Sequence, residues 1–123
     1  MIPKFRAWHH ELGRMMLIKN MWFQDNVIEE FELNDTVMND YITAYADEVT
    51  IMQSTGLLDK NGQEIWEGDV VRMRSGELLQ VKLHHGMFVP VCFYVSSVFE
   101  REGNVFENPE LLEDPDFRGV YDD

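Results

Sequence analysis

Cysteine is nearly absent from the 123 residues: Cys92 stands alone, so no intrachain disulfide can form, and such a chain fits a reducing compartment. Basic residues are also scarce. Ten Lys and Arg face 23 Asp and Glu, giving a net charge of -13 and a pI near 4.5. Neutralising phosphates supplies most non-specific affinity for nucleic acid, so this balance argues against direct binding of duplex DNA. No apolar run approaches the roughly 20 residues that span a bilayer. The opening Met1-Ile2-Pro3-Lys4-Phe5-Arg6-Ala7-Trp8 lacks the charged start and apolar core of a secretory signal. The expectation is a soluble, cytoplasmic protein with no membrane association.

Hydrophobic residues make up 45% of the chain, enough for a core without metal or disulfide, and the length fits one domain over residues 1–123. The acidity is segmental. No Lys or Arg lies between Lys19 and Lys60, where Asp25, Glu29, Glu30, Glu32, Asp35, Asp40, Asp47, Glu48 and Asp59 contribute -9. From Glu107 to Asp123 seven acids, Glu113, Asp114 and Asp116 among them, face only Arg118. Like charges of this kind either keep a small protein soluble or form a surface for a basic partner.

Alternating residues in Lys4–Trp8 and the apolar stretch Arg14–Ile18, separated by a segment ending in Gly13, predict an N-terminal β-hairpin region over 1–33 that continues through Met21–Phe23 and Val27–Leu33. Asn34 and Asp35 are suited to cap a short acidic helix over 34–48. There Val37, Met38, Tyr41, Ile42 and Tyr45 make one apolar stripe, with Tyr41 and Tyr45 expected in the core. Residues 49–106 return to short strands punctuated by glycine. The Asn61-Gly62 pair is expected to supply the positive φ angles of one reversal, and Pro90 must lie at an edge, a bulge or a strand end. This pattern indicates a small β-barrel or sandwich, mainly β with minor α. Within 107–123, Asn108-Pro109-Glu110 opens a short C-terminal helix ending at Asp114-Pro115, and a loose acidic tail follows unless Phe117 and Tyr121 anchor it.

Candidate chemistry is thin. His9-His10 and His84-His85 are adjacent pairs, and neighbours on a strand point to opposite faces, so each pair offers at most one ligand to a metal. Cys92 sits in an apolar run, where a buried thiol is the ordinary role. Carboxylates are many but nothing pairs them, and no phosphate-binding glycine loop or nucleophile elbow occurs. No catalytic residue, metal or cofactor is assigned, and no enzymatic activity is expected.

Three segments carry a resemblance: Lys4-Phe5-Arg6-Ala7-Trp8, the block from Met52 to Val71, and the stretch from Gly103 to Leu112. Together they resemble the YopX family of small phage and prophage proteins. The specific positions are Trp8, Thr55, Gly56, Asp59, Asn61, Gly62, Trp66, Glu67, Gly68, Asp69, Asn104, Asn108, Pro109 and Glu110, with Ser54 departing from the family's more usual aromatic residue. The resemblance implies a compact SH3-like β-barrel, often assembled into oligomers, in a bacterial host cell, and no known activity. The glycines and aspartates of the middle block read as turn and backbone-bonding positions, and Trp8 and Trp66 as core or subunit-interface anchors.

The resulting expectation is a phage accessory protein acting through protein–protein binding to a host or phage partner. Its acidic surface draws on Glu29, Glu30, Glu32, Asp35, Asp40, Asp47, Glu48, Glu113, Asp114 and Asp116. Eight Met, eight Phe and three Trp leave apolar surface for a homo-oligomer. The alternative is a DNA-mimic inhibitor of a host defence nuclease, of anti-CRISPR or anti-restriction type, whose partner would be a nucleic-acid enzyme. A single-strand binder would need Arg6, Arg14, Arg72 and Arg74 to cluster.

Overall fold

The computed structural model describes residues 4–35 and 40–120. The chain divides into two compact units, with Ile2–Gln53 in one and Ser54–Asp123 in the other.

The N-terminal unit is an antiparallel sheet of β1 (Phe5–His9), β2 (Arg14–Gln24), β3 (Val27–Asp35), β4 (Asp40–Tyr45) and the first half of β5 (Val49–Leu58), in the order β4-β3-β2-β1-β5. The expected first hairpin is present, with Ala7 opposite Met16 and His9 opposite Arg14. Alternation explains β3: Phe31 and Leu33 turn to the core and are wholly buried, while Glu30 and Glu32 between them turn outward. Each of those two apolar side chains contributes about 2 kcal/mol by leaving water. Ala7, Met16, Ala44 and Val49 complete this core, with Ile42 and Ile51 packed against it.

The acidic helix over 34–48 does not form. Residues 40–45 are a strand paired to β3, with Phe31 opposite Ala44 and Leu33 opposite Ile42, and only Ala46–Glu48 make one 3-10 turn. Tyr41, Ile42, Thr43 and Tyr45 are aromatic or β-branched, and pairing to a half-buried neighbour outweighs a helical stripe. Tyr41 and Tyr45 consequently face outward and are exposed rather than in the core. Val37 and Met38 lie outside the described residues.

The C-terminal unit contains the second half of β5, β6 (Glu64–Trp66), β7 (Asp69–Met73), β8 (Leu78–Gln80), β9 (Lys82–His84), β10 (Met87–Val89), β11 (Phe99–Asn104) and β12 (Phe117–Val120). Four of these form a sheet in the order β11-β7-β8-β12, and β9 and β10 make a separate hairpin. The protein is mainly β, but its sheets are open and not closed into a barrel. Ile65, Val71, Met73, Leu79, Val81, Val91 and Phe99 form the core.

Three further expectations change. The run Met87–Val95, which the sequence suggests as a strand with Pro90 inside it, is strand only to Val89, and Pro90 begins a segment of 3-10 turns over Val91–Phe93 and Ser96–Val98. Cys92, in that segment, is exposed rather than buried. The expected loose tail is strand β12, parallel to β8, with Phe117 opposite Leu78; Tyr121 lies outside the described residues. The short helix at Pro109–Glu113 is present as a 3-10 helix with proline at its start. No helix among the described residues is long and apolar enough to cross a membrane.

Gly103 shows why one small residue is required. A methyl group there would collide with the side chain of Asn108, whose Oδ1 accepts the Asn104 N–H at 3.2 Å, and would press on Leu111. Gly103→Ala should therefore cost about 1–3 kcal/mol of unfolding free energy in urea melts, with the slope of the transition unchanged.

Candidate interaction surface

The outer face of β2, β3 and β4 is built by register. Trp22, Glu30 and Tyr45 stand in one row across the three strands; Asn20, Glu32 and Thr43 form the next, and Leu17, Asn34 and Tyr41 the third. Leu17, Trp22, Tyr41 and Tyr45 are all exposed, between about 46% and 55%. Beyond the first row, Asp25 and Asn26 take positive φ angles of 51° and 68° and reverse the chain into β3, leaving Phe23 and Val27 exposed at the tip. An open hollow of about 480 Å³ beside it is lined by Val27, Ile28, Glu29, Tyr45 and Asp47.

Lys19 falls between the second and third of these rows. It sits at a bulge in β2, with Nζ 3.5 Å from the Glu32 carboxylate and 4.3 Å above the ring of Tyr41. The ring thus already receives a cation on its face.

Of the acids expected on the surface, Glu29, Asp40 and Asp47 are exposed and Glu30, Glu32 and Glu48 are half-buried. Asp35 is not a surface group. It is only 3% exposed and holds the Arg14 guanidinium at 2.6 Å. Asp40 accepts the Tyr41 N–H and Glu48 the Tyr45 N–H, both at 2.8 Å, so these two carboxylates also fix the ends of β4. Glu113, Asp114 and Asp116 belong to the other unit. Asp114 accepts the Asp116 N–H, and Asp116 pairs with Arg72 at 3.0 Å, which also binds Glu102 and the Gly76 carbonyl. The hydrogen bonds that Arg72 donates to Asp116 and Glu102 raise its pKa further above the ordinary value.

The motif residues hold turns. Thr55 Oγ1 donates to the Ile65 carbonyl at 2.6 Å, and Asn104, fully buried, accepts the N–H groups of Phe106 and Glu107. The 59–62 reversal does not use an Asn-Gly pair of positive φ angles: only Gly62 adopts one, at 79°. The turn is instead organised by the Asp59 carboxylate, which accepts the N–H groups of Asn61, Gln63 and Arg101 at 2.8–2.9 Å. Burial pushes that carboxyl up, but the three N–H donors and the Arg101 charge outweigh it and leave it below its ordinary 3.8. Asp69 accepts the Trp66 N–H and pairs with Arg101. Trp8 and Trp66 are half-buried, as is Glu67; Gly56, Asn61, Pro109 and Glu110 are exposed, and Gly68 is buried.

The histidines are engaged in other contacts. His9 Nδ1 accepts the Leu12 N–H, His10 Nε2 lies 2.8 Å from Thr50 Oγ1, and the His84 and His85 rings meet edge to face. No group of three or more His, Cys, Asp or Glu among the described residues is placed to hold a metal ion.

The tip residues Trp22, Phe23 and Val27 were expected only as strand residues, with no functional role assigned to them. The strict alternation Glu30-Phe31-Glu32-Leu33 and the Asp25-Asn26 pair, both tolerant of a left-handed turn, were the signals that would have placed them.

Open, mostly antiparallel sheets, the N-terminal one with an acidic, aromatic outer face, define a small, mainly β protein. The chain belongs to the YopX protein family, a phage-associated family of unknown function, whose model matches residues 4–113. A similar solved structure is the crystal structure of protein EF1440 from Enterococcus faecalis, 27% identical, with a TM-score of 0.70 over 91% of this chain and 99% of that one. No protein of curated function matches.

Proposed function

We propose that this is a non-catalytic phage accessory protein that works by binding another protein through the outer face of β2, β3 and β4. The carrying observation is the set of exposed Trp22, Tyr41 and Tyr45 interleaved with Glu30 and Glu32 in paired rows. Rigid aromatic side chains are the usual anchors of an interface, and carboxylates around them favour a partner that brings Lys or Arg. Lys19 on Tyr41 is an internal example of that contact.

The test compares partner capture by the full chain, by Y41A/Y45A and by E30Q/E32Q at about 50 and about 300 mM salt, where the screening length differs more than twofold. Loss of the tyrosines is expected to abolish capture at both salts, and loss of the carboxylates to slow association mainly at low salt. Capture by Y41A/Y45A equal to that of the unmodified chain would overturn the reading.

A DNA-mimic inhibitor of a nuclease is the second reading, supported by the eight acids and no base from Asn20 to Gln53. It draws on exposed Glu29, Asp40 and Asp47 rather than on Asp35, which Arg14 neutralises. Under it, the carboxylate variants and high salt remove capture while the tyrosine variants keep it.

A further inference from the structure

Bases are scarce in this chain, yet three of its ten Lys and Arg line one cavity of about 380 Å³ in the C-terminal unit: Lys60, Arg72 and Arg74, with Ser97 beside them. Glu100 is the one acid in that lining. Lys60 and Glu100 pair at 3.1 Å across a well-exposed surface, an attachment weak enough to yield to a competing anion. Arg72 is fixed in place by Glu102, Asp116 and the Gly76 carbonyl. Arg74 is exposed and makes no ion pair among the described residues.

A second cavity, of about 400 Å³, shares Met73, Arg74 and Val98 with the first and adds Ser75, Glu77 and Tyr94, the last 45% exposed. Arg74 is therefore common to a cationic hollow and to one bordered by an aromatic ring. A phosphate suits the first, since Lys and Arg donors recognise its oxygens. A planar heterocycle suits the second, since every nucleobase has a face that stacks on an aromatic side chain. Two hollows flanking one side chain call for a phosphate and a ring separated by a spacer, which is how a nucleotide is built. The sizes fall in the range of small-molecule sites.

We infer that the C-terminal unit binds a nucleoside monophosphate, with its phosphate at Lys60 and Arg74 beside Arg72, and its base on Tyr94. A long polyanion is disfavoured by the charge of -13, whereas one small dianion meets only the few side chains of the two hollows, where Lys60, Arg72 and Arg74 outnumber Glu77 and Glu100. The site draws on residues 60–100 and does not depend on the protein-binding face of the other unit.

The test titrates the full chain with adenosine and uridine monophosphates, inorganic phosphate, adenosine, and phenyl phosphate, which lacks the spacer, following backbone amide resonances. The nucleotides are expected to bind at least tenfold more tightly than the other probes, shifting resonances around Lys60, Arg72–Gly76 and Tyr94–Val98. Arg74→Glu should weaken nucleotide binding at least tenfold. Tyr94→Ala should reduce it to the level of inorganic phosphate while leaving phosphate binding unchanged. Both side chains are exposed, and unchanged melting temperatures will show that both variants fold. Equal affinity for all probes, or nucleotide binding by Arg74→Glu equal to that of the unmodified chain, would refute the proposal.

Discussion

Replacing Asp59 by alanine should lower the unfolding free energy by about 3 kcal/mol, seen as a drop of roughly 1–2 M in the urea midpoint. One carboxylate satisfies three backbone N–H groups, on Asn61, Gln63 and Arg101, and Asp59 is 3% exposed. Water can reach the turn amides after truncation but replaces the charge-assisted bonds only in part. Asp59→Asn should fall between, because its amide keeps one acceptor oxygen for the turn and sets an N–H against that of Arg101. The pH dependence has a definite sign. A carboxyl held below its ordinary value of 3.8 stabilises the fold fully above that unfolded-state value, and the contribution is lost as pH falls through the folded-state value. The gap between the parent chain and Asp59→Asn should accordingly be largest at neutral pH and shrink below about pH 4. A constant gap from pH 7 to pH 2 would refute this assignment.

Asp69→Ala is expected to cost about 2–4 kcal/mol. Asp69 is wholly buried; its Oδ2 accepts the Trp66 N–H at 2.8 Å and meets Arg101 Nε at 3.1 Å. Truncation leaves the Trp66 N–H without this acceptor and the partly buried Arg101 guanidinium without this carboxylate. If the ion pair accounts for much of that cost, Asp69→Ala combined with Arg101→Met should cost less than the sum of the single changes, because neither charge is then stranded. The Arg101 backbone N–H still reaches Asp59 in every variant, so the two carboxylates can be tested separately. Additivity within about 0.3 kcal/mol would show that the pair is uncoupled.

Strand β6 was legible from sequence because glycines flank it and its burial alternates, Ile65 inward between half-buried Glu64 and Trp66; β1 was legible from its alternating residue types, although Arg6 and Ala7 are both buried in it. Residues 40–45 were not, because Tyr41, Ile42 and Tyr45 satisfy both a helical stripe and a strand that shows alternate faces, and only the partner strand decides. The fate of individual acids was equally hidden. Asp35 and Glu30 look alike in sequence, yet Asp35 ends on the core side beside Arg14, 21 positions away, while Glu30 ends between Trp22 and Tyr45. Tertiary register fixes which carboxylate is buried. The same holds for Phe117, whose strand exists because β8 offers it an edge.

Strand β4 borders its sheet and pairs on one side only among the described residues. An open ladder of this kind invites a second copy to add on, and here carboxylates bracket it, with Asp40 at one end and Asp47 and Glu48 just past the other. Two such edges approaching each other would bring six negative charges together. The acidity thus acts as a colloidal guard against strand-to-strand aggregation: with Asp40→Asn, Asp47→Asn and Glu48→Gln combined, light scattering should rise where the parent protein stays dispersed.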